Sequence, residues 1–184
     1  HQQICQTKDS LTNKKQMSQV LFISSKKLKD STSLNGNVDV AFLQPHVLLA
    51  QKKHVKNRLG SDLYDKLEAD IVAGTLTGNY KILVDDYISE MLVHWSFYES
   101  IPFLRFKVQN NNIVSKTAEN SNPLSTEEAK SLRNEIRDTA EFFTEALVKY
   151  LCNHSDLFPE FKTNTDDDVR PDQGSSFYSG IYLG

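Results

Sequence analysis

Between Tyr80 and Ile101 apolar residues recur every three or four positions: Val84, Ile88, Met91, Trp95, Tyr98 and Ile101. Leu83, Tyr87, Leu92 and Val93 widen this stripe beyond one face, so the pattern predicts a helix that must be covered on several sides. Burying each large side chain is worth about 1.5–3 kcal/mol. The helix is therefore the element around which the rest of the chain is expected to pack.

The flanking pattern predicts three more helices. Asp39 is a candidate N-cap for a helix in which Val40, Leu43, Val47, Ala50 and His54 share a face. Pro45 either kinks this helix near Ala41 or forms its true first turn, and the kinked helix is the preferred reading. Leu59-Gly60 resembles a glycine C-cap, after which Ser61 is placed to cap a helix carrying Leu63, Leu67 and Ile71 up to Gly74. Pro102 is expected to end the central helix at Ile101. Beyond it the period changes: Leu104, Phe106 and Val108 alternate with Arg105 and Lys107, Gln109 to Asn112 offers a turn, and Ile113 to Thr117 a second extended run. This reads as a β-hairpin over about residues 103–117. Ser125 and Glu128 form a capping box. From there Ala129, Leu132, Ile136, Thr139, Phe143, Ala146 and Tyr150 define a long helix to about Asn153, roughly 40 Å at the usual helical rise, followed by a docked turn at Phe158, Pro159 and Phe161.

The expected fold class is mainly α: an antiparallel helical bundle of four main helices with an inserted β-hairpin and flexible N- and C-terminal extensions. Trp95 and Phe143 are expected in its core. Residues 1–19 read as a polar N-terminal extension, with Met17 a candidate natural start before the apolar run Val20 to Ile23; residues 20–162 form the helical domain. Residues 163–184 read as a C-terminal interaction arm, disordered alone, with Phe177, Tyr178, Ile181 and Tyr182 as its contacts.

Charge narrows the function classes. The 184 residues carry Lys+Arg 21 against Asp+Glu 24, a net charge of −3, which argues against bulk attraction to nucleic acid or anionic membrane and leaves local patches open. No run approaches a membrane span in length, and the two cysteines, Cys5 and Cys152, make no framework or zinc spacing. The expectation is a soluble protein of a reducing compartment with no membrane partner.

Candidate chemistry is sparse. His46 and His54, eight apart on one helix, sit about 12 Å apart along its axis, too far to share an ion. His94 reads as a satisfied core or interface residue, and His154 as a charge at a helix C-terminus. Asp85-Asp86 suits a solvated helix turn better than an acid/base pair, and Asp166 to Asp168 lacks calcium-loop spacing. There is no zincin, nucleophile-elbow or phosphate-loop motif, so no catalytic, metal or cofactor residue is assigned and the expectation is a non-enzyme. Lys52, Lys53, Lys56 and Arg58 form a basic cluster, extended in space by Lys26, Lys27 and Lys29; it reads either as a solvated, dipole-compensating face or as a contact for DNA phosphates. The corner at Gly60 also admits a helix-turn-helix. Its second helix presents Asp62, Asp65, Glu68 and Asp70 against Lys66, a charge pattern that repels phosphate.

Asp39, Pro45, Ala50-Gln51, Leu59-Gly60, Leu63-Tyr64, the Leu83 to Trp95 helix, and Ile101-Pro102 before an Asn-rich hairpin occur here in that order. Together with the helix from Ser125 and the aromatics near Phe158, they resemble the small helical head-tail connector (adaptor or ring) proteins of tailed bacteriophages, especially those of gut Bacteroidetes such as the crAss-like group. The resemblance spans roughly Val20 to Phe161. It implies a virion protein made in the host cytoplasm, repeated in a ring of usually twelve copies at the head–tail interface. Its implied partners are further copies of itself, the portal protein and neighbouring ring or tail proteins, with non-specific contact to packaged DNA and no cofactor. A small helix-turn-helix-like nucleic-acid-binding regulator is the alternative, and a small enzyme with an unrecognised site is a third.

Overall fold

The computed structural model describes residues 20–32, 34, 38–104, 106–109, 112–115, 125–163, 165 and 168–174. The expected N-terminal extension and the aromatic residues Phe177, Tyr178, Ile181 and Tyr182 lie outside them. Within the described residues the architecture is mainly helical. A short helix α1 (Ser25–Asp30) follows an N-cap at Ser24, whose hydroxyl accepts from the Lys27 amide. Asp39 caps α2 (Val40–Ala50) by accepting from the Ala41 amide. Pro45 lies inside α2, which runs without a break through a π-helical turn, Gln51–Val55, into α3 (Lys56–Leu59). Gly60 (φ 77°) turns the corner into α4 (Ser61–Ala73), and Gly74 in the left-handed conformation ends it, a backbone state in which a Cβ is disfavoured.

The central helix starts at α5 (Gly78–Ile82), passes a second π turn, Leu83–Ile88, and continues as α6 (Ser89–Leu104). Pro102 thus does not stop the helix at Ile101; it sits inside the last turn. The lost amide donor and the crowding of the preceding turn are a cost that the burial of Ser100 and Ile101 offsets. The π turns are wide because an amide reaches five residues back, Lys56 to Gln51 and Ser89 to Val84. Strands β1 (Phe106–Gln109) and β2 (Asn112–Ser115) pair antiparallel. Gln109 and Asn112, read from the sequence as turn residues, are opposite each other in this pairing. The long helix α7 (Thr126–Asn153) opens with the Ser125–Glu128 capping box, both of its bonds being formed.

The central helix is enclosed on several sides, as its wide apolar stripe requires. Leu83, Ile88, Met91, Leu92 and Val93 are fully buried, and Trp95 is 8% exposed. Contacts along the central helix fix its neighbours' directions. Tyr87 stacks on Tyr150, the Trp95 Nε1–H donates to Thr144 Oγ1, and the Arg133 guanidinium lies over Tyr98, so α7 runs antiparallel to the central helix. On the other side His46 meets Phe103 and His54 meets Trp95, which makes the α2–α3 helix antiparallel too. Phe143, expected in the core, is only half-buried; it stacks flat on His94 at the border of the seam. The 3-10 turn Pro159–Phe161 docks Phe158 and Phe161, both buried, with the Phe158 ring edge-on to Tyr80.

Candidate functional site

The first of the two wide turns carries polar chemistry into the core, whereas the second buries only Leu83, Val84 and Ile88. Gln51, at the start of the first π turn, is fully buried. Its Oε1 accepts from the Phe22 amide, and its Nε2 donates to the Val20 carbonyl and the Tyr64 hydroxyl. These bonds tie the segment before α1 and helix α4 to the same side chain. Burial pushes the Tyr64 hydroxyl up to about 12, so it stays a neutral hydrogen-bonding group.

His54 lies one helical turn further on. Its ring stacks on Trp95 at 3.7 Å between centroids and 9° between planes, and its Nε2 is 2.9 Å from Glu99 Oε1. Lys53 Nζ donates to the same carboxylate oxygen at 2.8 Å. Burial lowers the His54 pKa, outweighing the opposing pull of Glu99. For Glu99 burial pushes the other way, but the hydrogen bonds from Lys53 and His54 hold its carboxyl below the usual range. The group therefore consists of a neutral imidazole donating from Nε2 to a carboxylate, with the lysine closing the charge balance.

This cluster sits at one end of a cleft of ≈ 420 Å³ between the α2–α3 helix, α6, α7 and the segment ending at Gly174. Met91, Trp95 and Val148 form its apolar floor; Lys53 and Arg58 flank one side, and Glu141, Glu145 and Lys149 the other. The Thr144 hydroxyl donates to the Ala140 carbonyl while accepting from Trp95, which leaves it no proton to yield as a nucleophile. Among the described residues no group of three His, Cys, Asp or Glu could hold a metal ion, and no helix is long and apolar enough to cross a membrane. The arrangement suits reception of an extended or amphipathic segment, an apolar floor between walls of both charges.

The cleft's fourth wall is a strap. Val169 and Ser61 exchange two bonds, the Ser61 amide donating to the Val169 carbonyl and the Val169 amide to Ser61 Oγ. Asp172 continues the pattern by donating its amide to the Asn57 carbonyl. Ser61 thus does not cap α4, as the sequence suggested; Gly60 holds that position and the serine hydroxyl binds the strap, also donating to Asp168. Pro171 packs directly on Gly60, where a Cβ would come within 2.7 Å of its Cδ. Asp62 fixes the approach by accepting from the hydroxyls of Thr163 and Thr165.

The basic cluster expected from the sequence is divided by these contacts. Arg58, 12% exposed at its side chain, pairs with the Asp172 carboxylate at 3.1 Å and donates to the carbonyls of Asp172 and Gly174. Lys56 reaches Asp168 at 3.4 Å, Lys53 is committed to Glu99, and Lys52 is exposed. On α1, Lys26 pairs with Asp30 and Lys27 with Glu90. His94 and His154 are accounted for by the Phe143 ring and by the Tyr150 carbonyl, 3.0 Å from His154 Nδ1. Glu99 is the residue that sequence reasoning passed over. Its signal was present: it lies one turn from Trp95 on the buried face, where a carboxylate requires a partner.

A family of unknown function, DUF6712, matches residues 55–170, which is more than half of the chain, and the chain belongs to it. The match begins at the end of the first π turn and closes within the strap, so it takes in the Gly60 corner and both walls that α6 and α7 give the cleft. No curated protein and no solved structure matches the chain.

Proposed function

We propose that this chain is a structural virion protein, a head–tail connector subunit of a tailed phage. In this reading it is an antiparallel bundle of four main helices with an inserted hairpin. Copies stand side by side in a ring, most simply a dodecamer, which docks on the portal, extends the DNA channel toward the tail and touches packaged DNA only through phosphate. The observation that carries the reading is a set of large apolar side chains left outside a well-filled core. Phe142 is 67% exposed, and Phe103, at the end of α6 where β1 begins, is 49% exposed. Next to Phe103 the described sheet has only two strands, an arrangement that is marginal in water without further support. Neighbouring copies would cover both features.

The helix-turn-helix alternative is disfavoured by the strap, which occupies the Gly60 corner and engages Asp62 and Ser61 at the start of the would-be recognition helix. Solution mass and negative-stain images of the chain, alone and with the cognate portal, test the proposal. Rings are expected, and Phe142→Ser, alone and with Phe103→Ser, should abolish them while circular dichroism shows the chain still folded. A chain that remains monomeric with the portal and binds a defined duplex sequence would replace the connector by the regulator.

A further inference from the structure

We propose that the strap, Asp168 to Gly174, is a releasable gate on the cleft over Trp95, latched to the Gly60 corner by ion pairs and opened without unfolding the helices. None of its seven residues is buried: Val169 and Pro171 are partly covered and the other five are exposed. The cleft's remaining walls, by contrast, belong to helices rooted in the core by Leu59, Met91 and Leu147, each fully buried. A segment that gives no buried side chain to the core opens at a low free-energy cost while the helices stay packed.

Latch and gate are made by the same few residues. Asp172 pairs with Arg58 and Asp168 with Lys56, and both carboxylates are more than half exposed, so salt screens these pairs. Three amides mark the closed state: Ser61 donates to the Val169 carbonyl, Val169 to Ser61 Oγ and Asp172 to the Asn57 carbonyl. Asn57 and Arg58, which hold the strap, also line the cleft, and so do Asp172, Gln173 and Gly174. Release at the corner therefore withdraws one wall of the cleft and uncovers its floor of Met91, Trp95 and Val148. The gate needs neither a ring nor a portal.

Hydrogen exchange of these three amides in the full chain, followed by NMR beside acrylamide quenching of Trp95, the chain's single tryptophan, tests the gate. The three amides should exchange well before those of Met91 to Trp95 in the central helix. Raising salt from about 0.02 M to 0.5 M should speed them about threefold or more relative to those helix amides. Asp168→Asn with Asp172→Asn, which keeps the side-chain shapes and removes both charges, should do the same at low salt. Quenching of Trp95 by this neutral quencher should rise in step in both cases, while far-UV circular dichroism stays that of the folded chain. The salt series on the unaltered chain gives its result whether or not the variant folds. Corner amides that exchange only together with the central helix at every salt concentration would overturn the proposal. So would amides that open while Trp95 stays equally shielded, because the strap would then be a flap that gates nothing.

Discussion

The seam at Trp95 and the corner at Gly60 share the α2–α3 helix and are held by opposite means. At the seam, α6 meets α7 and the α2–α3 helix through buried side chains: Met91 and Leu92 are fully buried, Trp95 is nearly so, and the buried carboxylate of Glu99 is matched by a lysine and a histidine. At the corner, by contrast, the strap adheres through backbone amides, hydroxyls and ion pairs whose acidic partners, Asp168 and Asp172, are more than half exposed. Apolar burial resists salt and is lost only when the domain unfolds. Exposed ion pairs are screened and contribute little each. The contrast predicts that the seam keeps the fold and that the strap can be released from the corner without unfolding the rest.

The largest effect expected from this contrast is at the seam. Trp95→Ala should cost about 3–5 kcal/mol, the usual penalty for removing a large aromatic from a core, with a further contribution from leaving Thr144 without its donor. Urea unfolding followed by circular dichroism measures it, and an unchanged midpoint would mean that the seam does not carry the fold. Gly60→Ala should come next, at about 1–3 kcal/mol, because φ is 77° and the new methyl would meet Pro171. Limited proteolysis should then cut after Val169 sooner than in the parent chain. A result in which the chain loses stability but keeps its strap protected would separate backbone strain from strap contact.

The pH dependence probes the seam's one polar cluster. Burial lowers the His54 pKa from its ordinary 6.5, so the unfolded chain takes up the proton first. Stability due to neutral His54 is thus complete above pH 6.5 and is lost as the pH falls below it. His46 and His94 are also lowered by burial and act in the same direction, while Glu99, held low by its partners, adds its loss only below its ordinary 4.5. His54→Gln should therefore lower stability near neutrality yet flatten, without abolishing, the decline between about pH 6.5 and 5. Melting midpoints across that range would show it, and an unaltered slope would remove His54 from the account. The smallest effect belongs to Lys52, exposed at the outer side of the corner: Lys52→Gln should move global stability by less than about 0.5 kcal/mol.

Much of the seam was legible in the sequence, because helical period, capping and glycine stops are local signals. The stripe from Val84 to Ile101, the Asp39 cap and the Ser125–Glu128 box each depend on residues within a turn or two of one another. The corner was not legible in the same way. Ser61 follows a glycine and precedes an apolar run, which is the local signature of a cap, but its hydroxyl is engaged by Val169 and Asp168 more than a hundred residues away. The cleft was hidden for a related reason. His54 and Glu99 are 45 residues apart, and the first π turn changes which face His54 occupies relative to a regular helix, so spacing arguments made it a poor metal ligand without revealing its partner. Pro102 shows the converse error: a strong local rule overridden by tertiary packing at the end of a long buried helix.

The central functional claim, a connector subunit at the head–tail interface, is tested most directly by mass spectrometry of tailed particles purified from the source of this gene, with the copy number calibrated against the portal protein. The account predicts that the chain copurifies with intact particles at a ring-like stoichiometry near one per portal subunit. Its absence from particles in which the portal is readily detected would contradict the account.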